Sequence, residues 1–299
     1  MMSTAQEYPM ATITIDPALC KRCGACVHSC PEAVFARQDP KEIPSVVNPD
    51  LCIACGQCVV LCSQGAVAHR DYPPERLHPV VAQDLPSSEQ VLTLLKTRRS
   101  VRAFKRTPIE RSLIEQVIEG SRFAPSAHHV QSTHFIVVQD AATLRQIVDL
   151  TVGYFASTAR LLRHPIIRPL ASLVMRDEIA GALPLLHDFD MLVEAHRNGE
   201  DMVLHHAPAL LLVHASRRVN LADVNANLAL QNAMLTAHSL GLGSFYAGYV
   251  TAACQREAHL ARLLALPAHH RVYGALALGS PRFAYERWME RRPAQVEWR

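Results

Sequence analysis

Apolar and polar positions alternate over Thr12–Ile15 and over Pro44–Val47, which predicts two short strands. From Asp71 the pattern breaks: Pro73, Pro74, Pro79 and Pro86 interrupt any regular period, so this stretch reads as a linker with a domain boundary near residues 80–86. A helical period begins after it. Ser87 can cap the helix, Gln90 can answer as the reciprocal partner, and Val91, Leu92, Leu94 and Leu95 supply the apolar face. Thr107-Pro108-Ile109-Glu110 predicts a second capped start, with Ile109, Leu113, Ile114, Val117 and Ile118 on one face and Gly120 as the stop.

Four apolar runs beyond this point read as strands: His134–Gln139, taken as buried, then Pro208–Ala215, Ser244–Val250 and Val272–Gly279. Helices are expected between them, from Asp140 to Leu150, Leu221 to Leu240 (closed by Gly241) and Ala253 to Leu264. Residues 151–205 are helical in composition but irregular, with Pro165, Pro169 and Pro184, and such a long insert is expected to help close a pocket or an interface. The tail from Pro281 to Arg299 reads as extended. Strands interleaved with helices imply a central sheet covered by helices. The expected division is 1–85 and 86–299.

The chemistry of the first part lies in its cysteines. Cys20, Cys23, Cys26 and Cys30 form one run, followed by Pro31; Cys52, Cys55, Cys58 and Cys62 form a second, followed by Ser63. In each, three cysteines are spaced to wrap three corners of a four-iron, four-sulfur cube, and the fourth reaches the other cube. This assigns Cys20, Cys23, Cys26 and Cys62 to one [4Fe-4S] cluster and Cys30, Cys52, Cys55 and Cys58 to the second. Gly24 and Gly56 fall inside the loops, where a side chain is expected to obstruct the approach to inorganic sulfur. Disulfides call for an oxidising compartment, and zinc sites usually separate two pairs of ligands by a long gap; neither suits two complete four-cysteine runs. The stretch from about Thr12 to Asp71 resembles a bacterial two-cluster ferredoxin.

Composition adds limits. The chain has 299 residues, room for two cored domains, and nine cysteines, of which Cys254 is left over and reads as a small buried apolar residue. The opening Met-Met-Ser-Thr-Ala-Gln-Glu has neither a basic patch nor an apolar core, so no signal peptide is expected and cytoplasm is the expected compartment. No apolar run approaches a membrane span, and no basic tract with interleaved aromatics suggests nucleic acid. Residues 1–86 carry six Lys and Arg against nine Asp and Glu, while the remainder carries 24 against 18. A basic body can favour an anionic cofactor or an acidic partner; ordinary surface charge explains it equally well.

In the second part, Arg98-Arg99-Ser100-Val101-Arg102 groups guanidinium and hydroxyl donors suited to phosphate and a polar ring edge. Clustered arginines alone are more often a solvated helix end. The order in which further segments follow carries more: Ala124-Pro125-Ser126-Ala127, then Gln131 to His134, Ala207-Pro208, Gln231-Asn232, Gly241-Leu242-Gly243-Ser244, Leu278-Gly279-Ser280-Pro281 and Arg291-Arg292-Pro293. In that order, residues 88–299 resemble the FMN-dependent nitroreductase family. The resemblance implies an α+β fold, a ferredoxin-like domain followed by a nitroreductase-like sheet flanked by helices, and a homodimer with FMN at its interface. It implies flavin contacts at Arg98, Arg99, Ser100 and Arg102, a phosphate contact at Arg291, and positions near the ring for Gln131 and Gly248. Two positions depart from the family: His129 stands where an asparagine is common, and Ser132-Thr133 where Pro-Trp is common. His129 is a flavin contact, a proton donor or a solvated loop residue. The pairs His205–His206 and His269–His270 lack metal-site spacing and read as surface or core residues.

The expected function is an iron–sulfur flavoprotein that takes electrons from an external ferredoxin or NAD(P)H. They pass through two [4Fe-4S] clusters and FMN to a small acceptor: a nitroaromatic, a quinone or an activated double bond. No Rossmann fingerprint is visible, and no protein acid or base for the reaction stands out. The competing expectation is a non-catalytic electron-transfer module serving another protein.

Overall fold

The computed structural model describes residues 13–173 and 176–299. The opening segment and Thr12 lie outside the described residues. Contacts divide the chain into two compact units, Met1–Leu85 with Ala127–Val130, and Pro86–Ser126 with Gln131–Arg299. The segment 127–130 therefore groups with the cysteine-rich unit, although the sequence places it inside the second domain. His128 and His129 carry it through left-handed backbone, at φ 51° and 53°.

In the first unit, β1 (Ile13–Ile15), α1 (Ala25–Ser29), β2 (Phe35–Ala36), β3 (Ser45–Val46), α2 (Gln57–Val60) and β4 (Val67–His69) follow in order. β1 pairs antiparallel with β4, Ile13 opposite His69, and β2 pairs antiparallel with β3. Ile13, Val34, Phe35, Val59 and Val67 form a small core around which the cysteines lie. Gly24 and Gly56 precede α1 and α2 with φ of 76° and 73°. Both are crowded by side chains: a Cβ on Gly24 would meet the Arg37 guanidinium at 2.3 Å, and one on Gly56 would meet the Tyr72 ring at 3.2 Å. Left-handed backbone under a covering side chain demands these glycines.

The second unit contains α3 (Ser88–Thr97), α4 (Arg111–Arg122), β5 (His134–Val138), α5 (Ala141–Arg163), α6 (Ile167–Ser172), α7 (Arg176–Ala182), α8 (Leu186–Arg197), β6 (Ala209–Ser216), α9 (Ala222–Ser239), β7 (Gly243–Tyr246), α10 (Gly248–Cys254), α11 (Ala258–Leu263) and β8 (His270–Gly279). Its sheet runs β5-β6-β8-β7, with every pairing antiparallel. β6 is buried on both faces. Leu210 and Leu212 join one core with α5, α8 and α10, while Ala209, Leu211 and Val213 join another with α4 and α9. Antiparallel strands with helices on both faces make this an α+β fold.

Several expected boundaries move. Ser87 does form the capping box, accepting from the Gln90 amide while the Gln90 side chain accepts from the Ser87 amide. Val91, Leu92 and Leu95 are nevertheless exposed. α4 starts at Arg111 after a Glu110 N-cap, not at Thr107, and runs through Gly120. That glycine serves a helix crossing, because a Cβ there would meet Thr236 Oγ1 of α9 at 2.1 Å. β5 is an edge strand rather than a buried one, with His134 and Val137 exposed. α5 continues past Leu150 to Arg163, with no proline in that stretch and Gly153 tolerated inside the helix. The run read as a strand to Val250 ends at Tyr246, and Gly248 opens α10, whose Thr251 hydroxyl bonds back to Ala247 O. The helix read from Ala253 to Leu264 is two pieces, the second capped by Glu257 accepting from the His259 amide.

Candidate functional site: two cysteine cavities and an arginine-bearing pocket

One cavity in the first unit is walled by Cys20, Cys23, Cys26 and Cys62, and another by Cys30, Cys52, Cys55 and Cys58. The two halves repeat with an offset that takes Cys20 to Cys52, Gly24 to Gly56 and Cys30 to Cys62. Backbone amides follow the same repeat: Arg22 N–H and Ala54 N–H donate to Cys20 Sγ and Cys52 Sγ, each at 3.4 Å. Val34 N–H and Ala66 N–H donate to Cys30 Sγ and Cys62 Sγ at 3.4 and 3.2 Å. Each cavity thus receives two amide donors aimed at sulfur, the pattern that holds a thiolate rather than a thiol.

Those thiolates need a counter-charge. Burial, followed by the fields of Cys52, Cys55 and Cys30, pushes the Cys58 thiol up to about 12. Burial also raises Cys26, with smaller contributions from Cys20 and Cys23. Four facing thiolates repel, so the set calls for cationic iron at its centre. Among the described residues no three His, Cys, Asp or Glu groups converge tightly enough for a single metal ion. Four sulfurs around a cavity instead suit a cube with a metal at each corner.

In the second unit the segment from Arg98 to Lys105 is pinned from both sides. Val101 N–H donates to Ser244 O at 3.0 Å, and Ser100 bridges Ser244 in parallel fashion. Lys105 N–H donates to Ser280 O, and Arg282 N–H donates to Ala103 O. Gly243 permits the approach to β7, because a Cβ there would sit 2.8–3.0 Å from the Val101 side chain. The segment leaves α3 at Arg98, its C-cap. Burial holds Arg98 below its ordinary pKa, and the positive charges of Arg291 and then Arg99 add to the effect. These three guanidinium groups form a cationic site that calls for an anion. His238 belongs to it, bonded to Thr97 Oγ1 at 2.9 Å and lowered in pKa by burial and then by Arg98.

Arg102 and Gly248 share the wall of a cavity of about 810 Å³, with Phe245, His205, Tyr154 and Tyr249 on its lining. Arg102 lies over the Phe245 ring, and His205 meets that ring edge-on. The sequence dismissed His205. Its placement follows from Asp201, whose carboxylate accepts from the amides of Val203, Leu204 and His206 at 3.0, 2.8 and 2.8 Å and winds the backbone into left-handed turns at His205 and His206. Burial lowers the His205 pKa, with Asp201 opposing and Arg102 reinforcing. Tyr154, Phe155, Thr158, Ile179, Leu185 and Phe189 also line this cavity, so part of the irregular insert 151–205 forms its wall.

The remaining expected site residues lie elsewhere. Gln131 is exposed with left-handed backbone (φ 44°), its amide donating to Ser126 Oγ at 3.0 Å. His129 groups with the cysteine-rich unit, its Nε2 3.2 Å from Tyr72 Oη, and burial lowers its pKa. Cys254 is buried and its thiol is pushed up to about 12 by desolvation, which keeps it inert.

Comparison with known proteins adds to this geometry. Residues 12–63 match the 4Fe-4S dicluster domain, and residues 95–280 match the nitroreductase family. The chain is 30% identical over 192 residues to the FMN reductase (NAD(P)H) of Bacillus subtilis strain 168, covering 64% of this chain and 66%, just under two thirds, of that relative. It is 25% identical over 184 residues to an NADH dehydrogenase of Thermus thermophilus, covering 62% of this chain and 83% of that one. The fold is shared with a nitroreductase with bound FMN from Bacteroides fragilis, at a TM-score of 0.51 and 24% identity over 69% of this chain and 95% of that one. No helix among the described residues is long and apolar enough to cross a membrane. With its family match spanning more than half of the sequence, behind a 4Fe-4S dicluster domain, the chain belongs to the nitroreductase family.

Proposed function

We propose that this protein is an FMN-dependent oxidoreductase supplied with low-potential electrons through two [4Fe-4S] clusters and acting on a small acceptor: a nitroaromatic, a quinone or an activated double bond. One observation carries the reading. A single chain holds two four-cysteine cavities and, within its nitroreductase-family unit, a cavity of about 810 Å³ bearing Arg102 and Gly248. FMN, when bound, supplies chemistry that couples one-electron delivery to hydride-equivalent transfer.

The chain's own groups do the rest. Arg98, Arg99 and Arg291 offer charge to a phosphate, and Ser100 presents an exposed hydroxyl beside them. Arg102 and Phe245 give the cavity a cationic group against a flat apolar ring, and Tyr154, Phe155 and Phe189 add aromatic lining. A relay for a partner protein needs no such cavity. The names of the relatives, an FMN reductase and an NADH dehydrogenase, favour flavin and nicotinamide chemistry, with an external ferredoxin or NAD(P)H as the donor. A homodimer is part of the proposal. It is supported by exposed apolar side chains among the described residues: Val91, Leu92 and Leu95 on α3, and Phe283, Met289 and Trp298 in the tail. The cytoplasm is the compartment proposed.

The test is anaerobic turnover of a panel of nitroaromatics, quinones and enones with dithionite, reduced ferredoxin or NAD(P)H as donor. Turnover that requires FMN, and that becomes dependent on dithionite when Cys55→Ser removes a cluster ligand, is the expected result. Absence of turnover with every acceptor in protein carrying FMN and about eight irons would favour the relay.

A further inference from the structure

The repeat that relates the two cysteine runs is broken at one place that bears on sulfur. Each cavity receives two backbone amide donors, in matching positions. Among the described residues, only the cavity of Cys30, Cys52, Cys55 and Cys58 also receives a side-chain contact at sulfur: His69 Nε2 lies 3.6 Å from Cys52 Sγ. The repeat places Arg37 at the corresponding position of the first half. Arg37 directs its guanidinium to backbone oxygens instead, Nη1 donating to Arg22 O at 2.9 Å and Pro40 O at 3.1 Å.

The direction of the His69 contact is fixed by its other nitrogen. Asp71 N–H donates to His69 Nδ1 at 3.0 Å. A ring nitrogen that accepts carries no proton, so the proton sits on Nε2 and faces sulfur. The ring cannot turn away easily. His69 is 4% exposed, its backbone is paired with Ile13, and its ring packs 5.2 Å from that of Tyr72.

We propose that His69 is a positioning and potential-tuning residue, whose Nε2–H donates to Cys52 sulfur and raises the reduction potential of the cluster held by Cys30, Cys52, Cys55 and Cys58. The proposal rests on the reading that both cavities hold [4Fe-4S] clusters. A donor to a ligating sulfur stabilises the more negative, reduced state. Reduction places one electron, supplied by an external reductant, on the cluster; His69 keeps its proton throughout and no bond to it breaks. Amide donors are matched between the two cavities, so the side chain supplies a difference that the backbone does not.

The experiment uses full-length, anaerobically purified protein as wild type, His69→Leu and His69→Gln. Iron content is measured first, and then both cluster potentials, by dithionite titration followed by electron paramagnetic resonance. His69→Leu should keep about eight irons per chain and shift one cluster to lower potential while leaving the other in place. His69→Gln, whose side-chain amide can present an N–H where Nε2 stood, should recover at least half of that shift. Two unchanged potentials in iron-replete His69→Leu, equal shifts of both clusters, or a Gln variant no different from Leu would overturn the assignment. Loss of one cluster in both variants would also overturn it, by making His69 a residue that holds the fold. Wild-type protein reconstituted to only half the iron would instead remove the two-cluster reading and the proposal with it.

Discussion

Arg102 holds its guanidinium carbon 5.4 Å from the centre of the Phe245 ring, and His205 meets the same ring edge-on at 5.4 Å. One aromatic side chain thus contacts two of the polar groups that line the large cavity. Arg102→Gln removes the cation while keeping length and some hydrogen bonding. A charge-assisted hydrogen bond is worth about 1.5–3 kcal/mol, so FMN affinity should fall by roughly tenfold or more. Fluorescence of released FMN measures it, and affinity equal to wild type would remove Arg102 from the flavin site.

Arg291 reaches the cationic group around Arg98 from the far end of the chain. Arg291→Glu should weaken FMN binding more than Arg102→Gln does, because it removes a phosphate partner and adds a repelling charge. With phosphate-free riboflavin in place of FMN, the penalty should largely vanish. An equal loss for both flavins would mean that Arg291 acts through the fold of the tail instead of through phosphate.

Gly243 lies under Val101, with no room for a Cβ. Gly243→Ala should displace the Arg98–Arg102 segment from β7, costing about 1–3 kcal/mol of stability, and should lower FMN retention. Gly153→Ala, in α5 where nothing lies within 4 Å, is the matched control and should be neutral or stabilising by about 0.5–1 kcal/mol. Denaturant midpoints of the two variants, with bound FMN measured on the same samples, check both halves.

These residues also mark what sequence can convey. Three ligands of each cluster lie three residues apart and the fourth ends the other run, so their chemistry is written as a repeated motif, and the cavities gather the same cysteines that the spacing groups. His69 went unnoticed because its partner Cys52 lies 17 residues away. His205 was dismissed because its position depends on an Asp201 turn and on Phe245 of β7. The apolar face of α3 was legible as periodicity, but period alone does not say what covers it, and the single chain leaves Val91, Leu92 and Leu95 exposed. The turn into α10 was missed because Tyr249 and Val250 have strand-like side chains, while packing against α5 and β8 makes them helical.

His214 provides the pH dependence. It is 5% exposed on β6, with the His134 ring stacked 5.3 Å away and His270 Nδ1 at 2.9 Å from its own Nδ1. Burial, followed by the fields of His134 and His270, pushes its pKa from 6.5 down to about 4. A histidine depressed in the folded state binds its proton more readily when unfolded. Its contribution to stability is therefore fully present above pH 6.5 and is lost as pH falls towards 4. The difference corresponds to about 3 kcal/mol at most. His214→Phe, which keeps a ring in the slot and cannot be charged, should lose less stability than wild type over that window while differing little in pH slope above 7. Denaturant midpoints at pH 7.5, 5.5 and 4.5, followed by far-ultraviolet circular dichroism, give the comparison. Parallel acid slopes for the two proteins would assign the acid sensitivity to other groups and leave His214 as a packing residue only.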